Sequence, residues 1–372
     1  MKRFFIMLII LIYSLTLNCF CDDYTRFSYA LMEGSTDTLL YSENGSMTVP
    51  PKHSAKLMTL LLACEYISSG NLSLENTVKV SEHANSMPDP QIWLRAGESI
   101  AVSELIMAVT VGNANDACVA LCEAVSGNEA DFVSLMNSKA KELGMIDTYY
   151  ADCTGISDES YTTACDIAIV ASELSKYDWL DEYFKTYITY VRNVQTQLVN
   201  TNRLIRSYEP CTGMKYYYSD ETGHCVVASA RRDGLTLICV ILGEQDKDNL
   251  FKTVREKFGI GFSAYVMYQP KSTDVFCEPV EVKHGVAGVV KTEVGKLHRF
   301  VVRKSKIENI KIFCEYYEDI TAPIKVGDTV GRVIYSIDGE EVYSAHIVSS
   351  EQSEKLTFWK AFVLVFKEIV KM

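Results

Sequence analysis

The chain lacks the short motifs that would place it at once. It has no C-x-x-C pair and no H-E-x-x-H, and its 6 histidines are scattered, so zinc-ribbon, thioredoxin-like and zinc-peptidase readings fail and neither a metal nor a cofactor is expected. It also lacks an excess of positive charge. Lys and Arg number 36 against 48 Asp and Glu, a formal net charge of −12, which argues against nucleic acid as a partner because displacing counterions needs a basic surface. Glycine and proline are few, at 20 and 8, which excludes collagen-like sequence, linker arrays and long disorder. Repeats and low-complexity segments are absent. What remains is a chain of 372 residues, long enough for two or three domains and for a core that needs no disulfide or metal staples.

The N-terminal apolar run is short for a spanning helix. Lys2 and Arg3 precede Phe4 to Leu17, which is interrupted by Ser14 and Thr16; Asn18, Cys19-Phe20-Cys21 and Asp22-Asp23 follow. That order reads as a secretory signal over residues 1–21, cut after Cys21, with an uncleaved membrane anchor as the alternative. Neither Cys19 nor Cys21 follows the Leu-plus-small-residue run of a lipoprotein signal. Loss of Lys2 and Arg3 takes the charge from −12 to −14, so the expected mature protein is exported and acidic. Export would permit disulfides among the cysteines, which number 12 in all. Yet Leu62-Ala63-Cys64 and Ile238-Cys239-Val240 set cysteine within apolar patterns, where it reads as a small buried hydrophobe. Mostly reduced core thiols are expected.

Beyond the leader the pattern divides into three regions and predicts an α+β protein. Residues 22–265 mix strands and helices. Phe27 to Met32 and Thr38 to Tyr41 read as a hairpin around Gly34. His53 to Ile67, Ala101 to Ser126 and Asn128 to Leu143 carry helical periodicity. Val226 to Ala230 and Leu235 to Leu242 read as a strand pair across Arg231-Arg232-Asp233-Gly234, with glycine where positive φ is needed. Residues 266–350 show short alternating runs and turn signals, as in Val289 to Val294, Arg332 to Ile337 and Asp338-Gly339, and predict a small antiparallel β domain.

Residues 355–372 read as a separate amphipathic helix. Lys360, Lys367 and Lys371 are spaced so that, at roughly 100° per residue, they fall within about 40° of one another. Trp359, Phe362, Val363, Val365, Phe366, Ile369 and Val370 make up much of the remainder. A basic stripe on an apolar helix suits a membrane surface; the alternative is a helix packed on its own domain.

Three segments carry the chemistry. They are Pro50-Pro51-Lys52-His53-Ser54-Ala55-Lys56, then Val111-Gly112-Asn113-Ala114-Asn115-Asp116, then Gly213-Met214-Lys215-Tyr216-Tyr217-Tyr218. In order and spacing they resemble the S-x-x-K, S-x-N and K-T-G segments of the serine D-alanyl-D-alanine carboxypeptidases, low-molecular-mass penicillin-binding proteins with a β-lactamase/transpeptidase-like fold. Flanking matches are Leu198 to Leu204, Gln91 to Leu94 and Lys139 to Met145, and the β domain and tail lie where this family has them. The resemblance implies an antiparallel sheet beside a helical cluster, a peptidoglycan stem peptide or a cell-wall protein as partner, and a place at the extracytoplasmic face of the cytoplasmic membrane, in the periplasm or cell wall.

By the same resemblance, the nucleophilic serine position is His53, the retained base position is Lys56, and the second serine position is Asn113. Asn115 stands where the family has asparagine. Lys215, Tyr216 and Tyr217 take the substrate-binding strand, with tyrosines where the family has threonine and glycine. Acyl transfer needs a hydroxyl nucleophile beside a base, and serine and lysine at i and i+3 share a helix face. His53 has no hydroxyl. Ser54 lies about 100° round the helix from it and does not face Lys56. Asn113 can hydrogen-bond but cannot relay a proton as a hydroxyl can. Two expectations follow, separated by position 53. One is a non-catalytic family member that binds stem peptide or a cell-wall partner, with His53, Lys56 and Asn113 as an anion or peptide-terminus site. The other is an active serine-type carboxypeptidase trimming stem pentapeptides.

Overall fold

The computed structural model describes residues 27–371, without the side chains of Lys367, Glu368 and Lys371. The leader assigned to residues 1–21 lies outside the described residues. The chain forms two compact units that divide between Phe262 and Ser263.

In the first unit, β1 (Ser28–Glu33) and β2 (Thr38–Glu43) form a hairpin, and β3 (Cys211–Ser219), β4 (Gly223–Arg232) and β5 (Leu235–Glu244) complete a sheet of order β2-β1-β5-β4-β3, antiparallel throughout. The β4–β5 turn is Asp233-Gly234, with φ of 52° and 76°, the left-handed conformation that a two-residue hairpin demands. Strand β5 is apolar almost throughout because it is central and covered on both faces. Ile238, Val240 and Leu242 face the helical core, whereas Leu237 closes against Gly261 on the other side.

The longer helices of this unit are α1 (Ala55–Ser68), α2 (Val102–Gly112), α3 (Asn115–Ser126), α4 (Glu129–Glu142), α5 (Ala164–Ser175) and α6 (Lys247–Ala264). Every residue of α1 from Ala55 to Cys64 is buried, so it is a core helix without a solvent face. Lys56 is among them. The stretch expected to be helical from Ala101 to Ser126 is corrected to two helices. Asn113 takes φ of 56° and ends α2, and α3 begins two residues later. Apolar spacing runs on across the break because both helices bury against the same core. A single left-handed asparagine, a residue that tolerates this conformation at helix ends, is enough to separate them.

The second unit holds the antiparallel β domain. Strands β6 (Thr292–Val294), β7 (Lys311–Tyr316), β8 (Thr329–Ile337) and β9 (Glu340–Ser349) pair in the order β6-β9-β8-β7, which leaves β7 at an edge. The β8–β9 turn, Asp338-Gly339, again has both φ positive, at 54° and 93°. Val280, Val290, Phe300, Val333, Tyr335 and Ile347 form its core. Phe300 stacks on Tyr343 with ring centroids 4.8 Å apart. Helix α7 (Phe358–Lys371) ends the described chain. Among the described residues no helix is long and apolar enough to cross a membrane.

Candidate active site

A short 3-10 turn, Lys52–Ser54, leads into α1 and places His53 one turn before Lys56. The Lys56 Nζ lies 3.1 Å from His53 Nδ1 and donates to the carbonyl of Thr154 at 2.8 Å. From the edge strand β3, Lys215 Nζ donates to the Val109 carbonyl at 2.6 Å and to Asn113 Oδ1 at 2.7 Å. Asn113 Nδ2 donates in turn to the Tyr216 carbonyl at 3.4 Å. The Tyr217 ring stands edge-on to His53, centroids 5.9 Å apart. His53, Lys56, Asn113, Lys215 and Tyr217 therefore form one cluster where α1, the α2–α3 turn and β3 meet.

Two residues of the sequence-based set lie outside it. Asn115 Nδ2 donates to the carbonyls of Pro88 at 2.9 Å and Asp89 at 3.1 Å, and its Oδ1 has no hydrogen-bond partner among the described residues. It holds the 88–90 loop. Tyr216 alternates to the opposite face of β3 from Lys215 and Tyr217. Its hydroxyl pairs with His224 Nδ1 at 2.8 Å and its ring packs on Phe251, so only its carbonyl reaches the cluster.

Burial dominates the electrostatics. Lys56 and Lys215 are both fully buried, and among the described residues neither has a carboxylate partner. Burial lowers the pKa of Lys56, partly offset by the Cys118, Cys153 and Asp152 side chains. Burial, then the Lys56 charge, lowers that of Lys215 to about 7. Burial, followed by repulsion from Lys56, Lys215 and Lys52, holds His53 down at about 3, so its imidazole is neutral. With Nδ1 accepting from the Lys56 amine, the ring proton belongs on Nε2.

No hydroxyl occupies the place beside the Lys56 amine that His53 takes. The Ser54 hydroxyl is buried and donates to the Pro51 carbonyl at 2.5 Å. Thr59 donates to the Cys153 carbonyl at 2.8 Å, and Thr154 Oγ1 to Asp152 Oδ1 at 2.6 Å. These three hydroxyl protons are committed elsewhere.

Sequence reasoning missed the parts that hold this cluster. The Asp152 carboxylate accepts from the backbone amides of Thr154 and Gly155 at 2.6 Å and of Ser157 at 2.7 Å, folding the loop that presents the Thr154 carbonyl to Lys56. Gly155 has φ of +82°, and a Cβ there would stand 1.8 Å from the Lys52 carbonyl oxygen, so only glycine fits. Asp152-Cys153-Thr154-Gly155 carries the local signal of such a turn. Lys52 pairs with Asp158 at 3.0 Å and Glu221 at 2.9 Å, partners too distant in sequence to suggest themselves.

Comparison with known proteins shows the family. Residues 21–246 match the family described as D-alanyl-D-alanine carboxypeptidase, and residues 269–355 match the penicillin-binding protein 5 C-terminal domain. The D-alanyl-D-alanine carboxypeptidase DacF of Bacillus subtilis is 32% identical over 336 residues, covering 89% of this chain and 86% of its own. Penicillin-binding protein 5 of Haemophilus influenzae superposes with a TM-score of 0.78 at 24% identity, covering 88% of this chain and 97% of its own. Penicillin-binding protein D2 of Listeria monocytogenes, solved in a cefotaxime-bound form, superposes with a TM-score of 0.56 at 25% identity over 63% of this chain and 96% of its own. The chain belongs to the D-alanyl-D-alanine carboxypeptidase family, the low-molecular-mass penicillin-binding proteins of the cell wall.

Proposed function

We propose that this chain is a non-catalytic member of that family, which binds a peptidoglycan stem peptide, or a cell-wall partner offering the same terminus, without cleaving it. The observation that carries the reading is the 3.1 Å contact between Lys56 Nζ and His53 Nδ1. In an acyl-transfer enzyme of this plan the amine would activate a hydroxyl. Here it meets a ring nitrogen, and the neighbouring hydroxyls serve backbone carbonyls or a carboxylate. Two buried amines without a carboxylate partner among the described residues favour an anion, so a peptide C-terminal carboxylate near His53, Lys215 and Asn113 is the ligand whose charge fits.

The exposed apolar tail supports a place at the extracytoplasmic face of the cytoplasmic membrane. Phe358 and Trp359 are 77% and 73% exposed, and Phe362, Phe366 and Ile369 are exposed as well. Lys360 pairs with Glu354. The side chains of Lys367 and Lys371 lie outside the described residues, so the basic stripe rests on their spacing. A helix of 14 residues is about 21 Å long, too short for a hydrocarbon core of about 30 Å but suited to lying along its surface.

The test is intact-mass spectrometry after incubation with benzylpenicillin or cefotaxime, alongside an assay for D-alanine released from a stem pentapeptide. The expected result is an unchanged mass and no D-alanine. A stoichiometric adduct on Ser54, or on any other residue of the cluster, overturns the reading and makes the chain an active carboxypeptidase. Serine at position 53 alone, His53→Ser, is expected to leave the chain inactive, because Asn113 and Tyr217 remain.

A further inference from the structure

All ten cysteines of the described chain are unpaired thiols, and most are buried in the first unit. Two in the β domain differ. Cys277 and Cys314 are only half-buried, and the two thiols lie near enough for Cys314 to act on the charge of Cys277. The segments that carry them are held side by side. Cys314 Sγ is 3.5 Å from the Phe276 carbonyl, and the Glu278 amide donates to the Tyr316 hydroxyl at 2.6 Å. Cys314 sits on β7, the edge of the four-stranded sheet, so this side of it has no further strand.

Beside the pair lies an open cavity of about 410 Å³, lined among others by Asp274, Phe276, Glu278, Phe313, Cys314 and Tyr316. Phe276 is 81% exposed and Phe313 49%. The cavity reaches Cys314, and Cys277 does not line it. Its charged lining residues are both acidic.

We propose that Cys277 and Cys314 form a dithiol redox site, oxidised to a disulfide by a small disulfide that carries amines and enters this cavity. The Cys314 thiolate attacks one sulfur of the incoming disulfide, whose S–S bond breaks and releases one thiol. Cys277 then gives up its proton and attacks the Cys314 sulfur, releasing the second thiol. Two protein thiols are oxidised to one cystine while one small disulfide is reduced to two thiols. Cys314 attacks first because it faces the cavity. Cys277, whose thiol burial and the neighbouring Cys314 push up to about 11, is the resolving partner. Bridging requires the two sulfurs to close to about 2.05 Å, a closure favoured by the side-by-side placement of residues 276–278 and 314–316. Cys64, Cys118, Cys122, Cys153 and Cys239 are enclosed by the core and out of reach, and Cys165, though half-buried, has no second half-buried thiol beside it among the described residues. The proposal is independent of whether the first unit is catalytic.

The test treats the folded full chain with cystamine, quenches with acid, alkylates and maps the peptides. The expected result is a peptide pair linked through Cys277 and Cys314 that accumulates before any other cystine. Cys277→Ser is expected to stop at a cysteamine mixed disulfide on Cys314, and Cys314→Ser to leave Cys277 as a free thiol over the same period. Recovery of Cys277 and Cys314 as alkylated thiols in the unmodified sequence, or a mixed disulfide that forms first on Cys277, overturns the proposal. The first measurement needs no variant, so a misfolded mutant cannot mask the outcome.

Discussion

Two regions of this molecule break the usual partition of residues in opposite directions. The first unit places the amines of Lys56 and Lys215 inside its core, with the half-buried imidazole of His53 beside them. The terminal helix does the reverse and exposes Phe358, Trp359, Phe362 and Phe366. Charged groups are seldom fully buried without a paired charge, and large apolar faces are seldom left to water. Each departure costs stability. On the proposed function, an anion would complement the first region and an apolar surface the second. The contrast shows what to look for in a family whose members share a fold but differ at the reacting atoms: the unbalanced groups, rather than the fold, identify the partner.

The largest expected effect breaks the comparison at the tail. Truncation after Ser353 removes the helix and all three lysines of the stripe. Each lysine near an anionic surface is worth about 1 kcal/mol, and the apolar face adds more at roughly 25 cal/mol per Å² buried. Sedimentation with vesicles containing anionic lipid should therefore fall by more than about 100-fold for the truncated chain. Unchanged pelleting would place the anchor elsewhere, as an uncleaved leader would.

The core amines predict a pH dependence with a definite sign. Lys215 has a folded pKa of about 7 against an ordinary 10.5, lowered by burial first and by Lys56 second. Between those values the unfolded chain binds more protons, so stability rises with pH from about 7 to about 10.5 and the full penalty is felt below 7. At about 1.4 kcal/mol per unit, this residue contributes at most about 5 kcal/mol over that range. Urea unfolding across the range should show a shallower rise for Lys215→Met than for the unmodified chain. Parallel curves would mean that the amine is hydrated and that the first region is not unbalanced. His53 carries the same sign at lower pH. Its pKa of about 3, lowered by burial and then by the three lysines, means that stability falls as pH drops from about 6.5 to 3, and His53→Phe should flatten that part of the curve.

A smaller effect sharpens the account of what holds Lys56. Gly155→Ala places a Cβ 1.8 Å from the Lys52 carbonyl at a φ of +82°, and both loops must move. A loss of about 3 kcal/mol in urea unfolding is expected, within the range for strain at special backbone positions. A loss below about 0.5 kcal/mol would show that the loop presenting the Thr154 carbonyl to Lys56 is not fixed.

How far these features were legible in the sequence depends on how local their causes are. The β4–β5 turn was readable because Asp233-Gly234 carries its own conformational preference. So was the β8–β9 turn, because Asp338-Gly339 carries the same preference. The break at Asn113 was not, since apolar spacing reports burial and both helices bury alike. Strand β3 was reached only through resemblance: from Cys211 to Tyr217 every residue is buried, which erases the period of two. The placement of Lys56, Asn113 and Lys215 was readable by motif spacing, but their partners were not. Thr154 and Val109 contribute backbone carbonyls, which every residue type has, so no side chain advertises the role.

Asn115 gives the smallest expected effect and the finest test of the site's boundary. By motif it belongs with Lys56 and Lys215, yet its amide is spent on the Pro88 and Asp89 carbonyls, away from His53. Asn115→Ala leaves those two carbonyls without their donor, at about 1–2 kcal/mol for the lost hydrogen bonds. Its Oδ1 has no partner to lose among the described residues, so the change should stay at that level. Affinity for a stem peptide, measured by calorimetry, should then remain within about twofold of the unmodified chain. Asn113→Gly, which preserves the left-handed backbone but removes the acceptor of Lys215, should weaken the same binding by about tenfold or more, the worth of one hydrogen bond to a charged group. If the ranking reversed, with Asn115→Ala abolishing binding at little cost in stability, Asn115 would belong to the ligand site, and the buried polar region would extend along α3 rather than end at the α2–α3 turn.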